Sequence, residues 1–108
     1  VALLRNHLRV FIGRISMYVY FIEAFRETPL VKIGKAKNPE ARLRNLQVGS
    51  PVKLKMIGQV KCKSDFHALQ VEKFAHNLFY KQRRRGEWFR LSEKHREMLK
   101  RVVEKANE

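Results

Sequence analysis

A single cysteine, Cys62, leaves no partner for an internal disulfide and excludes a cysteine-rich zinc site. Acids are scarce too: 10 Asp and Glu stand against 24 Lys and Arg, a formal net charge of +14 over 108 residues. None falls between Glu40 and Asp65, the stretch that carries Arg42, Arg44, Lys53, Lys55, Lys61 and Lys63. A face so short of negative charge suits a polyphosphate, with acidic membrane surfaces and acidic proteins as the other classes it could meet. No apolar run is long enough to span a bilayer, and no small-residue cleavage site follows the basic N-terminus. With the lone thiol, these absences predict an intracellular, cytoplasmic setting. Of the four histidines, only His76 has a metal-ligand spacing, four residues after Glu72.

What is present is enough for one core. Hydrophobic residues make up 44% of the chain and aromatics 10%, which excludes a disordered basic tail, and 108 residues suit a single compact domain. Met17 to Ile22 is β-branched and aromatic on both alternating faces, the pattern of a central strand covered on both sides. A turn at Glu27–Pro29 leads to a second short strand, Leu30 to Ile33, ending at Gly34. Asn38 as N-cap and Pro39 at the first helical position open a helix with Leu43 and Leu46 inward, stopped by Gly49-Ser50-Pro51. Val52 to Val60 reads as a third strand, and Ser64 or Asp65 caps a helix running to Tyr80. Lys81 to Arg85 reads as a basic loop, Gly86 to Phe89 as a short extended piece, and Ser92 starts a last helix with Met98, Leu99, Val102 and Val103 inward. The expected fold is α/β (α+β): a small three-stranded antiparallel sheet flanked by helices, in the order ββαβα plus a C-terminal helix, over residues 17–108. Residues 1–16 form an amphipathic extension, with Leu4, Leu8, Phe11, Ile12 and Ile15 at helical spacing among Arg5, Arg9 and Arg14. That segment reads as an extension from an alternative start, a linker from a longer protein, or a packing helix that meets a protein partner or a second copy.

Glu72 stands on the apolar side of its helix, three residues from Leu69 and Ala75 and four from Ala68 and His76. Desolvating a lone carboxylate there costs several kcal/mol, so it needs an ion-pair partner or a metal. Both readings stay open on spacing alone.

The order of motifs resembles the GIY-YIG endonuclease superfamily, over about Tyr18 to Leu91. Tyr18-Val-Tyr20-Phe-Ile22 is similar to the first signature, with Tyr18 where glycine is usual. Val31-Lys-Ile-Gly34 is similar to the second, with Lys32 in place of its tyrosine. The likeness is strongest to a phage-type branch, through Arg42-Leu-Arg-Asn-Leu-Gln47, Ser50-Pro51, Glu72 with His76, and Gly86-Glu-Trp-Phe89. The asparagine found late in many members has no match, unless Asn77 or the Gly86–Phe89 segment stands in.

This resemblance implies a metal-dependent endonuclease that hydrolyses DNA phosphodiesters, with RNA as a second possible substrate. It implies Tyr20 as general base or water-orienting phenol, Lys32 as a neighbouring cation, Arg42 as a phosphate clamp and Glu72 as the metal ligand. His76 joins this group as partner of Glu72 or of the phosphate backbone. One carboxylate suits Mg²⁺, or Mn²⁺, because such ions keep waters and borrow substrate oxygens. Lys35, Lys37, Arg44, Lys53, Arg83, Arg84 and Arg85 are the expected nucleic-acid contacts. Each residue also has a plain reading: Tyr20 as core aromatic, Lys32 as solvated edge-strand lysine, Arg42 as exposed helix arginine, Trp88 and Phe89 as packing. The competing function is a basic nucleic-acid-binding module without catalysis, which needs the charge but not a carboxylate among apolar residues.

Overall fold

A computed structural model describes residues 16–108, so the expectation for residues 1–16 lies outside the described residues except at Ser16. The chain runs β1 (Met17–Ala24), β2 (Leu30–Ala36), α1 (Pro39–Val48), β3 (Leu54–Cys62), α2 (Asp65–Leu78), a 3₁₀ turn (Tyr80–Gln82), β4 (Arg83–Arg85), β5 (Trp88–Phe89) and α3 (Glu93–Ala106). The sheet has five strands in the order β3-β1-β2-β5-β4, and every neighbouring pair is antiparallel. The expected three-stranded sheet is therefore incorrect. The arginine run read as a loop is β4, and Trp88–Phe89 forms β5, which pairs Val31 with Phe89 and Lys32 with Trp88. β5 supplies ladder partners to the outer N–H and C=O groups of β2, and β4 then forms the sheet edge. The α+β class and the three described helices match the sequence pattern.

Alternation along β1 sorts the core into two clusters on opposite faces of the sheet. Val19 and Phe21 join Val31, Ile33, Val60, Ala68, Ala75, Phe79, Phe89 and Leu99, so this face is covered by α2 and α3. Tyr20, Ile22 and Ala24 join Leu54, with Leu43, Leu46 and Trp88 packed against them, so the other face is covered by α1. β1 is thus the central strand that its doubly apolar sequence predicts. A register shift against β3 at Phe21/Ile22 marks a bulge there.

Local chemistry fixes the helix starts. The Asn38 side chain accepts from Ala41 N–H at 3.1 Å, the Ser64 side chain from His67 N–H at 3.1 Å and that of Ser92 from His95 N–H at 3.2 Å. Gln47 clasps the strand that follows its helix, donating to the Val52 carbonyl at 3.0 Å and accepting from Leu54 N–H at 2.8 Å. Gln47 and Ser50 of the signature are accordingly connectors of α1 to β3, not members of the site. Phe89 is buried and Trp88 half-buried, both as packing residues.

Candidate functional site

The site forms at the edge of β2, just past the point where β5 stops pairing with it. Arg85 opposes Trp88 across a two-residue loop, Gly86-Glu87, and Gly86 takes a φ of 55°, the positive value such a tight hairpin demands. Arg83 Nε closes this loop by donating to the Gly86 carbonyl at 2.6 Å. Ile33 N–H donates to the Glu87 carbonyl at 2.9 Å, which ties the loop to β2 and sets Glu87 beside Gly34.

Gly34 is where Tyr20 reaches this edge. The two residues are cross-strand partners, and a Cβ on Gly34 would lie 2.5 Å from the Tyr20 hydroxyl oxygen and 3.0 Å from Glu87 Oε1. Only the missing side chain lets the phenol lie across the strand next to the Glu87 carboxylate. Tyr20 itself is 1% exposed, so its ring is fixed by packing. Lys32, two residues earlier on the same face, donates to Glu87 Oε1 at 3.0 Å and lies 5.6 Å from the centre of the Trp88 ring. Because β5 covers β2 here, Lys32 is not the solvated edge-strand lysine of the plain reading.

From the opposite face, α2 supplies Glu72 and His76 one turn apart. Ligand atoms of Glu72, His76 and Glu87 all lie within 4.8 Å of one another. His76 Nε2 donates to the Ile33 carbonyl at 2.9 Å, which leaves the lone pair of a neutral imidazole on Nδ1. Its ring rests against Phe89, 5.0 Å between centroids. Among the described residues Glu72 makes no ion pair of the kind the structural reading requires. Burial pushes the Glu72 carboxyl above its ordinary range; the neighbouring Glu87 charge pushes the same way, against the pull of His76, Lys35 and Lys32. Two carboxylates and an imidazole this close form a donor set that suits a divalent cation accepting oxygen and nitrogen.

Of the remaining expected residues, Lys35 follows Gly34 on β2 and lies near enough to Glu72 to act on its charge, and none makes a described hydrogen bond or ion pair with Glu72, His76 or Glu87. Arg42 lies on α1, exposed, its backbone N–H bonded to the Asn38 carbonyl at 3.1 Å, and no described hydrogen bond or ion pair joins its side chain to the cluster. Lys35 is held by Asp65 at 2.6 Å, and this hydrogen bond raises its pKa. Lys37, Arg44 and Lys53 are exposed on the loop before α1, on α1 and just before β3, while Arg83, Arg84 and Arg85 are exposed along β4. A cleft of about 340 Å³ on the α3 side is lined by two acids, Glu23 and Glu97, among Lys55, Arg96 and Lys100, and Glu23 pairs with Arg96 at 3.1 Å.

Glu87 is the site residue that sequence reasoning missed. A signal was available: it is the one acid between Glu72 and Glu93, inside a run holding Arg83, Arg84, Arg85 and Arg90. Among the described residues, no helix is long and apolar enough to cross a membrane. Residues 17–107 match the family model of the T5orf172 domain. No curated protein and no solved structure matches the chain.

Proposed function

The chain belongs to the T5orf172 domain family, and from that premise we propose that it is a metal-dependent endonuclease that hydrolyses DNA phosphodiester bonds. Membership links it to nuclease-like and DNA-binding proteins of phages and mobile elements, in line with the resemblance to GIY-YIG enzymes. One observation carries the reading: a half-buried Glu72, without an ion pair among the described residues, meets His76 and Glu87 within 4.8 Å, beside a tyrosine hydroxyl seated over Gly34. A module that only bound nucleic acid electrostatically would gain nothing from two carboxylates facing its phosphates.

Glu72 and Glu87 would hold Mg²⁺ or Mn²⁺, with His76 adding a nitrogen donor that favours Mn²⁺. Such an ion supplies charge neutralisation at the phosphoryl group and at the departing oxygen. Tyr20 contributes a hydroxyl with little freedom to move, placed to orient or deprotonate the attacking water. Lys32 contributes a cation to a non-bridging phosphate oxygen. Arg42 reaches the phosphate from α1 with a planar fork suited to two oxygens, and its exposed position leaves it free to do so when DNA is present. The basic residues of α1, β3 and β4 would carry the flanking phosphates. The water's oxygen bonds to phosphorus as the bridging P–O bond breaks and the departing oxygen takes up a proton, leaving one end of the cut strand with a terminal phosphate and the other with a hydroxyl.

The test is supercoiled plasmid incubated with the protein, with and without Mg²⁺, alongside Glu72→Ala. Metal-dependent nicking that the variant lacks, with DNA binding retained or stronger, is the expected result. Binding without cleavage by the unsubstituted chain under all metals would leave only the nucleic-acid-binding module.

A further inference from the structure

Glu87 belongs to two arrangements that cannot both be at full strength. Its Oε1 accepts from Lys32 Nζ at 3.0 Å, and a carboxylate oxygen of the same residue lies within 4.8 Å of the Glu72 and His76 ligand atoms. An ammonium and a divalent cation on one carboxylate repel each other, and in a half-buried place that repulsion is weakly screened. The Glu87 side chain is 38% exposed and that of Lys32 12%, so the carboxylate is the partner with room to turn. It also sits on a hairpin loop, one residue after the positive-φ glycine and outside both core clusters.

We propose that Glu87 is a second carboxylate ligand of the metal site and is exchanged between Lys32 and the cation. Without metal, Glu87 balances Lys32. With metal bound, its charge is drawn to the cation, and Lys32 is freed for a phosphate oxygen. The phosphate-facing lysine thus becomes available only when the ion that neutralises the reaction is in place. This rests on the metal-dependent reading above, and it adds a coupling between metal occupancy and the lysine.

The experiment is Mn²⁺ binding to the full chain without DNA, followed by calorimetry or by the signal of the free ion, for four proteins: unsubstituted, Glu87→Gln, Lys32→Met and the double variant. Glu87→Gln should weaken Mn²⁺ binding by about tenfold or more. Lys32→Met should tighten it, and the tightening should vanish in the double variant, since the lysine then has no ligand to compete for. Unchanged affinity in Glu87→Gln overturns the ligand role. Tightening that persists in full in the double variant overturns the exchange, because the lysine then acts through its charge alone. Should the glutamine variant melt early, Glu87→Asp replaces it: charge is kept, the oxygen is withdrawn, and affinity falls only if Glu87 ligates. Plasmid cleavage is scored separately, so an inactive chain with an intact binding cycle rejects the nuclease reading and not this coupling.

Discussion

Gly34→Ala is the smallest substitution that bears on both the fold and the proposed chemistry. The added methyl would lie 2.5 Å from the Tyr20 hydroxyl oxygen, 2.7 Å from its Cζ and 3.0 Å from Glu87 Oε1. Ordinary contact needs about 3.5 Å, so the phenol or the strand must give by about 1 Å. The ring is 1% exposed and packs with Ile22, Leu54 and Leu43, so it has no empty space to enter. Overpacking of this kind costs about 1–3 kcal/mol. For a domain of this size each kcal/mol lowers the melting temperature by about 4–8 °C. A reacting group displaced by about 1 Å loses about 10²-fold in rate, equivalent to about 2.7 kcal/mol of transition-state stabilisation. Thermal melting and plasmid nicking with Mg²⁺ read the two effects independently. Adding Tyr20→Phe removes the 2.5 Å contact but leaves Cζ at 2.7 Å, so part of the stability returns while cleavage does not. A Gly34→Ala protein that melts and nicks like its parent would refute the placement of the hydroxyl over Gly34.

Two further outcomes follow from charge. Burial and then Glu87 raise the Glu72 pKa above 4.5, so the folded state holds its proton longer than the unfolded chain, and metal-free stability falls as pH rises from about that value through the folded pKa. Glu72→Gln should flatten this slope in melting curves taken without metal, and an unaltered slope would assign the effect to another group. DNA affinity should fall steeply with salt: about 6 neutralised phosphates give a slope near −5 in log K against log salt on duplex DNA, and a flat titration would detach the +14 charge from DNA.

Much of the fold was legible because local and tertiary signals agree. β1 carries apolar residues at both alternating phases, Val19 and Phe21 against Tyr20 and Ile22, and only a strand covered on both faces needs that. Asn38-Pro39 and Ser64 announced their helices through side chains that bond the first free N–H groups. The β4–β5 hairpin was hidden for the converse reason. Arg83–Arg85 are all exposed, so no alternation marks them as a strand, and β5 is two residues long. What makes them strands is the free edge of β2, a tertiary circumstance. Glu87 was missed with the hairpin, since its place beside Lys32 depends on the loop that joins those strands. Tyr20, Lys32, Glu72 and His76 lie around Glu87 and Gly34, whereas Arg42 on α1 shares no described hydrogen bond or ion pair with them.

The three exposed arginines of β4 occupy an outer edge of the sheet, where a strand offers unpaired N–H and C=O groups to any extended chain. Three like charges on that edge would repel a second copy that approached to pair with it. The opposite edge, β3, carries exposed Lys55 and Lys61, and the Asn107 side chain covers the Gln59 carbonyl at 3.0 Å. The same cations that would grip DNA therefore serve as guards against self-association, and the two duties are linked through one set of side chains. Replacing β4 arginines by alanine removes a DNA contact and a guard together, so lost binding and gained aggregation would arrive in the same tube. Arginine-to-lysine or arginine-to-glutamate exchanges separate them, because each keeps the edge charged while changing what the phosphate meets. A polyanion that neutralises the edge would have the opposite effect: crowded on DNA, neighbouring copies would lose that repulsion.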